Sequence, residues 1–432
     1  MIIFFSLILF IGAHASEHSN KNIITFDEAF QKMMTNDFAK RLGNDNVDRV
    51  EAQKLEAYAQ FLPSLYVRAN SNRDTRFIES TRTFNTTAKL GLWRNGVDFL
   101  GIKEQKLNLE SASSGATFEN FRAETRVTKV LFEYIWRSQV LVIKRTIAEA
   151  RRELVELTKS RYRQGLVPEP QVLAVELDSE NAESQLTFTT QDLQDSRAEI
   201  ERSLGPINSE DTYKENSALP QSLNQTWPYL EFFSGQKIKE LLGKASDKDL
   251  RPDYQKYRAA SEASEIDVVR AKASFLPIID FQVERNRLLY SHYGINNSRY
   301  ETTFALTLTA PLFENLNDYV VYKQSAYNRS AAQYQLLEFN QKFDADFRAK
   351  KLTLERGLER LKTREMILAK GERLFRVMKK NYQTGRLNYQ ELALEQERYF
   401  NSSLNYQQGL LELHNSLVDY CHALGFSLVG CL

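Results

Sequence analysis

Few side chains in this 432-residue chain are spaced for bond-making chemistry. Past an apolar N-terminal stretch, histidine occurs at His18, His292, His414 and His422. A helical metal site wants ligands one turn apart on one face. His414 and His422 are eight apart in a helical pattern and the other two are remote, so no metal set forms. No glycine-rich phosphate loop is present, so any energy must come from another protein. Cys421 and Cys431 are the only cysteines. An exported chain can oxidise them to each other, but a disulfide framework is excluded, and they read as tail residues without a role in the fold. No catalytic, metal or cofactor residue is therefore assigned, and the chain does not read as an enzyme. What remains are residues able to line, bound or dock. Tyr162-x-x-Gly165 and Tyr382-x-x-Gly385 each stand where a long helical pattern stops. Glycine suits the left-handed conformation that closes a helix, so each marks a hairpin corner.

The two corners sit at matching places in a duplication. Phe61-Leu62-Pro63 recurs as Phe275-Leu276-Pro277, and the offsets nearly agree (275 − 61 = 214; 385 − 165 = 220). A repeat this long means two copies of one structural unit. Between Gly101 and Gly165 there is no proline and one glycine, Gly115. Ile143, Ile147, Ala150, Leu154 and Leu157 fall on one helical stripe. Leu186, Leu193 and Ile200 repeat every seven residues, as do Leu404, Leu411 and Val418, while Leu354, Leu358, Leu361, Leu368 and Phe375 follow a similar seam. These are seams of the coiled-coil kind. A helix of about 65–70 residues at 1.5 Å per residue runs to roughly 100 Å, too long for an ordinary globular bundle.

Ahead of each long helix the period changes to two. Leu65, Val67 and Ala69 alternate with Tyr66, Arg68 and Asn70, and Ile279, Phe281 and Val283 alternate with Asp280, Gln282 and Glu284. Second strands fit Ala88, Leu90 and Leu92, and Phe304, Leu306, Leu308 and Ala310. Polar segments, about 71–86 and 285–300, read as linkers joining the members of each pair. Residues 206–250, with Gly205-Pro206, Pro220 and Trp227-Pro228, read as a linker holding a short helix near Gly235–Lys244.

Residues 1–15 read as a signal peptide: Ile2 to Ile11 is too short to span a bilayer, and Ala13-His14-Ala15 is a small-x-small cleavage pattern. The chain is thus exported. The balance of 57 basic and 56 acidic residues argues against a nucleic-acid partner. Strands with one apolar and one wet face, in an exported protein, can satisfy their edges by closing a barrel in an outer membrane. Four strands cannot close one, since small barrels need about eight, so several chains must contribute. A small soluble sandwich on a helical rod is the alternative that alternation alone leaves open.

Helix, two strands, helix, performed twice behind a signal peptide, resembles the TolC-type outer-membrane efflux proteins. Ile24-Thr25-Phe26-Asp27-Glu28-Ala29, the paired Phe-Leu-Pro segments, Leu250-Arg251-Pro252-Asp253, Pro311-Leu312-Phe313, Arg161-Tyr162-x-x-Gly165-Leu166 and Tyr382-x-x-Gly385 carry the resemblance, in order and in register. It implies a mainly α fold with a transmembrane β portion: a homotrimer whose long helices form an α-barrel continuous with a twelve-stranded β-barrel in outer-membrane lipid. The domains are then the signal peptide (1–15), the first repeat (16–205), the linker (206–250), the second repeat (251–425) and a C-terminal tail (426–432).

The implied function is an outer-membrane exit duct with a long periplasmic extension. It would serve a tripartite efflux or type I secretion system through a periplasmic adaptor and an inner-membrane RND or ABC transporter. An autonomous porin and a non-pore periplasmic scaffold are the competing classes. The resemblance places Tyr162, Gly165, Leu166, Gly385 and Arg386 at the periplasmic tip that meets the adaptor. The family's closed tip uses a tyrosine, an arginine and acidic residues. Here Tyr382 matches the tyrosine, Leu387 stands at the arginine position beside Arg386, Glu391 is the first acid, and Leu394 replaces the inner one. Gln171 stands where the first-half tip would carry an acid. An apolar constriction follows, and replacing Tyr382 and Glu391 by alanine is expected to make the channel leakier.

Overall fold

The computed structural model describes residues 26–74, 79–204, 236–245, 247–292, 295–310 and 316–431. The segment expected to be a signal peptide, most of the expected linker and Pro311-Leu312-Phe313 lie outside these residues. The repeat is visible in the lengths of its elements. The first copy runs through α1 (Phe26–Asn36), α2 (Phe38–Ala59), β1 (Ser64–Asp74), β2 (Glu79–Trp93), α3 (Val97–Arg163) and α4 (Glu169–Leu204). A short α5 (Gln236–Gly243) precedes the second copy, made of α6 (Pro252–Ala273), β3 (Ile278–His292), β4 (Ile295–Thr309), α7 (Asn317–Gln383) and α8 (Tyr389–Ala423). A short turn of helix, α9 (Leu428–Cys431), is the last described element. α2 and α6 each have 22 residues, and α3 and α7 each have 67. At 1.5 Å per residue each long helix is roughly 100 Å. No described helix is long and apolar enough to cross a membrane.

The described residues pack as two bodies, one of residues 26–33 with 137–204, the other of residues 34–136 with 236–431. In the first body the end of α3 runs antiparallel to α4. Arg152 reaches Glu183 at 2.7 Å and Lys159 reaches Glu176 at 2.9 Å across the seam. Leu154, Val155, Thr158, Val175 and Ala182 are buried there. The exposed ion pairs orient the helices more than they stabilise them.

The second body holds the sheet, in the order β1-β2-β3-β4 and antiparallel throughout. The polar segments 71–86 and 285–300 are not linkers. β1 continues to Asp74, β2 begins at Glu79, β3 continues to His292 and β4 begins at Ile295. A strand is held by backbone hydrogen bonds, so the ladder persists where both faces turn polar and the period-two signal fades.

The helical part of this body is drawn together at its C-terminal end. α8 buries Leu413, Leu417, Val418 and Tyr420. His414 is also buried, with Nδ1 2.7 Å from the Leu410 carbonyl and its ring edge-on to Phe132. Cys421 and Cys431, expected to have no fold role, are joined as a disulfide. Ten residues apart, they clip α9 onto α8, and both are buried. Buried Glu124 of α3 completes the clasp: it accepts from the Leu428 amide at 2.8 Å and faces Nε2 of His422 at 3.3 Å.

Candidate channel-forming surfaces and helical tips

Register sorts the sheet into two chemically opposite faces. Leu65, Ala88, Val283 and Phe304 form one cross-strand row, and Leu90, Phe281 and Leu306 lie in another on the same side. The opposite face carries the rows Tyr66–Thr87–Glu284–Thr303 and Arg68–Asn85–Asn286–Glu301. The apolar side chains of the edge strands are bare: Leu65 and Leu306 are each 70% exposed, while Leu90, Phe281 and Val283 between them are half-buried. A soluble monomer rarely leaves so continuous an apolar surface uncovered. β1 and β4 are the edges, each with one row of backbone groups unpaired within this chain.

Where the strands meet the helices, buried Asp280 collects two cations: Lys89 at 2.8 Å and Arg94 at 3.9 Å. Asn95, in the left-handed region at φ 54, turns β2 into α3. Its side chain donates to the Pro277 carbonyl at 2.8 Å and accepts from Trp93 Nε1 at 2.9 Å. Trp93-Arg94-Asn95-Gly96, where the first repeat lacks a Pro-Leu-Phe, thus fastens β2 to the proline that opens β3. The departure is visible in the sequence but the lock is not, because Asp280 and Pro277 are about 185 residues away.

The Leu250-Arg251-Pro252-Asp253 signal also resolves into a packing device. Arg251 is bidentate to Asp253 at 3.0 and 2.6 Å, reaches Asp346 at 3.5 Å, and lies over the rings of Phe339 and Phe343. It ties the start of α6 to α7.

Both corners close with the same hydrogen bonds. Gly165 N–H donates to the Tyr162 carbonyl and Leu166 N–H to that of Arg161, at 2.8 and 3.0 Å. Gly385 and Arg386 repeat this onto Tyr382 and Asn381, at 3.0 and 2.9 Å. Gly165 and Gly385 take φ of 72° and 76°, which a side chain rarely adopts. The return helices start differently: the Asn388 side chain caps α8 by accepting from the Glu391 amide at 2.8 Å, whereas Pro168 precedes α4.

The tips differ in what they present. Tyr162 is 45% exposed and Leu166 is 67% exposed, while Gly165, Gly385 and Arg386 are exposed. Tyr382 is 1% exposed and already engaged within its own chain. It is a hairpin-core residue here, together with buried Tyr389 and Leu392. Of the four residues expected at an aperture, Glu391 and Leu394 are exposed and Leu387 is half-buried. The core role of Tyr382 was masked in the sequence because its counterpart Tyr162 has the same spacing to glycine and a different environment.

No protein-family model matches the chain, and no curated protein matches it. Solved structures do. The chain matches the outer membrane protein VceC of Vibrio cholerae with a TM-score of 0.74 at 14% identity, over 93% of this chain and 96% of that one. The CmeC outer membrane channel of Campylobacter jejuni gives 0.73 at 15% identity, over 99% and 94%. The open state of the MtrE outer membrane channel of Neisseria gonorrhoeae gives 0.72 at 14%, over 94% and 90%. At these identities the likeness is one of fold, and it extends over nearly the whole chain. With its duplicated helix–hairpin–helix order, four-stranded sheet and paired 67-residue helices, the chain has the TolC-type outer-membrane-factor fold.

Proposed function

We propose that this protein is an outer-membrane channel that works as the exit duct of a tripartite pump. The observation that carries the reading is the sheet: one face apolar and bare, the other polar, and both edges open. Three copies supply twelve strands, each edge β4 pairing with a neighbour's β1. The apolar face then meets lipid and the polar face lines a wet lumen. The 67-residue helices continue the lumen wall on the periplasmic side, a length that an autonomous porin does not need. Solute passes by diffusion, with energy and selection supplied by an inner-membrane transporter of the RND or ABC class.

The tips at Gly165 and Gly385 are the surfaces for a periplasmic adaptor, with Tyr162, Leu166 and Arg386 as the exposed contacts. Glu391 and Leu394 narrow the aperture, and exposed Leu394 makes the constriction apolar enough to resist wetting when closed. A photo-reactive residue at Leu166 or Arg386 tests the docking. Cross-linking in cells to one periplasmic adaptor at both positions supports it. Equal capture from exposed positions along the helices, such as Leu177 and Met366, would count against it.

A further inference from the structure

Arg82, Arg285 and Arg287 stand on the same face of the sheet as its apolar side chains. Arg285 shares a cross-strand row with Val67, Thr86 and Thr302, and Arg287 shares the next with Ala69, Phe84 and Tyr300. Arg82 lies one row further, opposite Leu289. All three are exposed. The guanidinium groups of Arg285 and Arg287 lie 5.5 and 5.2 Å from the centre of the Tyr300 ring, which holds both on this side of the sheet. Among the described residues, no aspartate or glutamate occupies a position on this face.

Their height along the strands decides their role. Arg285 and Arg287 are seven and nine residues beyond Ile278, where β3 leaves the helices (285 − 278 = 7; 287 − 278 = 9). At about 3.3 Å per residue and a tilt near 40°, that is roughly 18 and 23 Å across an apolar band about 25 Å tall. A lipid-facing arginine is strongly disfavoured at the midplane and costs little near an interface, where Arg287 lies, while Arg285 sits between the two. Cations on neighbouring strands, about 7–8 Å apart on the diagonal, repel one another unless an anion sits between them.

We propose that Arg82, Arg285 and Arg287 seat the phosphorylated headgroup of an anionic glycolipid of the lipid A type, in the leaflet facing away from the long helices. The inference rests on the membrane-barrel reading above. The guanidinium fork matches phosphate oxygens two at a time, and three arginines without a carboxylate on their face favour a headgroup whose phosphate charge is not offset by a cation of its own. Tyr300 and Phe84 supply the flat apolar surface expected at a membrane interface beside it.

The test reconstitutes the full chain into phosphatidylcholine nanodiscs doped with a minority of lipid A. Retained lipid is then counted by native mass spectrometry. Wild-type protein is expected to concentrate lipid A over its bulk fraction, with roughly fivefold of that enrichment lost per arginine in R82Q, R285Q and R287Q. The triple lysine variant should keep part of it. Wild-type protein with fully dephosphorylated glycolipid should show no enrichment, a comparison that does not depend on any variant folding. Enrichment that survives dephosphorylation, or the three glutamine changes, overturns the proposal and leaves the barrel intact. Failure to enter discs of phosphatidylcholine alone overturns the barrel and the proposal together.

Discussion

Gly425 lies against Leu250: a Cβ added to it would stand 2.6 Å from the Leu250 carbonyl oxygen. The residue also has φ of 86°, and its amide and that of Phe426 close the end of α8 as Gly165 and Gly385 close their helices. At the two corners a Cβ would meet nothing within 4 Å. G165A and G385A are therefore expected to suffer left-handed strain alone, about 1–2 kcal/mol. G425A adds a backbone collision and should lower the melting temperature clearly more than either. Melting of the three variants in detergent checks the order, and equal losses would contradict the contact.

The Cys421–Cys431 disulfide closes a loop of ten residues around the C-terminal clasp. A loop that short is expected to contribute about 2–3 kcal/mol. C431S, or wild-type protein under reductant, should melt earlier and expose the α9 segment to carboxypeptidase first. Unchanged melting and digestion would show that Glu124 and the buried apolar residues hold the tail without it.

Tyr382 and Tyr162 occupy the same place in the two repeats but different environments. Y382A removes a buried ring and should destabilise its hairpin tip by about 3–5 kcal/mol, with faster amide exchange in 376–395. Y162A truncates a half-exposed ring and should stay within about 1 kcal/mol. Hydrogen exchange resolves the two tips separately. Equal acceleration at both would contradict the buried placement of Tyr382.

Burial, reinforced by the Glu355 carboxylate, pushes the Tyr420 phenol up to about 12. Its hydroxyl donates to the Leu241 carbonyl at 3.3 Å, fastening α5 to α8. The neutral phenol is the folded form, and the unfolded one ionises near 10. This contribution to stability is thus whole below pH 10 and is lost as pH rises from 10 to 12. Burial also raises Tyr399 and Tyr406, so Y420F should make the alkaline fall shallower without abolishing it. Below pH 10, Y420F should cost about 1 kcal/mol for the lost hydrogen bond. Melting curves across pH 8–12 decide, and an identical alkaline slope in Y420F would contradict the assignment.

Local periodicity and punctuation made the repeat, the long helices, the four strands and both corners legible, because each is written within a few residues. The strand extents were misjudged where Ser71, Asn72 and Asn286 make both faces polar, since ladder bonding leaves no trace in side-chain type. The lock of Asp280 with Lys89 and Arg94, and the clasp of Glu124 with His422 and Leu428, were unreadable because their partners lie far apart in sequence. The motif at Tyr382 fixes the backbone of a corner but not where the ring packs, so its burial is not written in the spacing. The disulfide joins two cysteines whose proximity depends on the turn at Gly425.

The central claim is that several copies close one barrel whose lumen continues between the long helices. Reconstitution of the full chain in planar bilayers, with electron microscopy of the same preparation, tests it most directly. The account predicts discrete single-channel steps from particles of threefold symmetry, each bearing a helical extension of roughly 100 Å. Particles with that extension but no conductance and no closed barrel, or a pore formed by one chain, would contradict it.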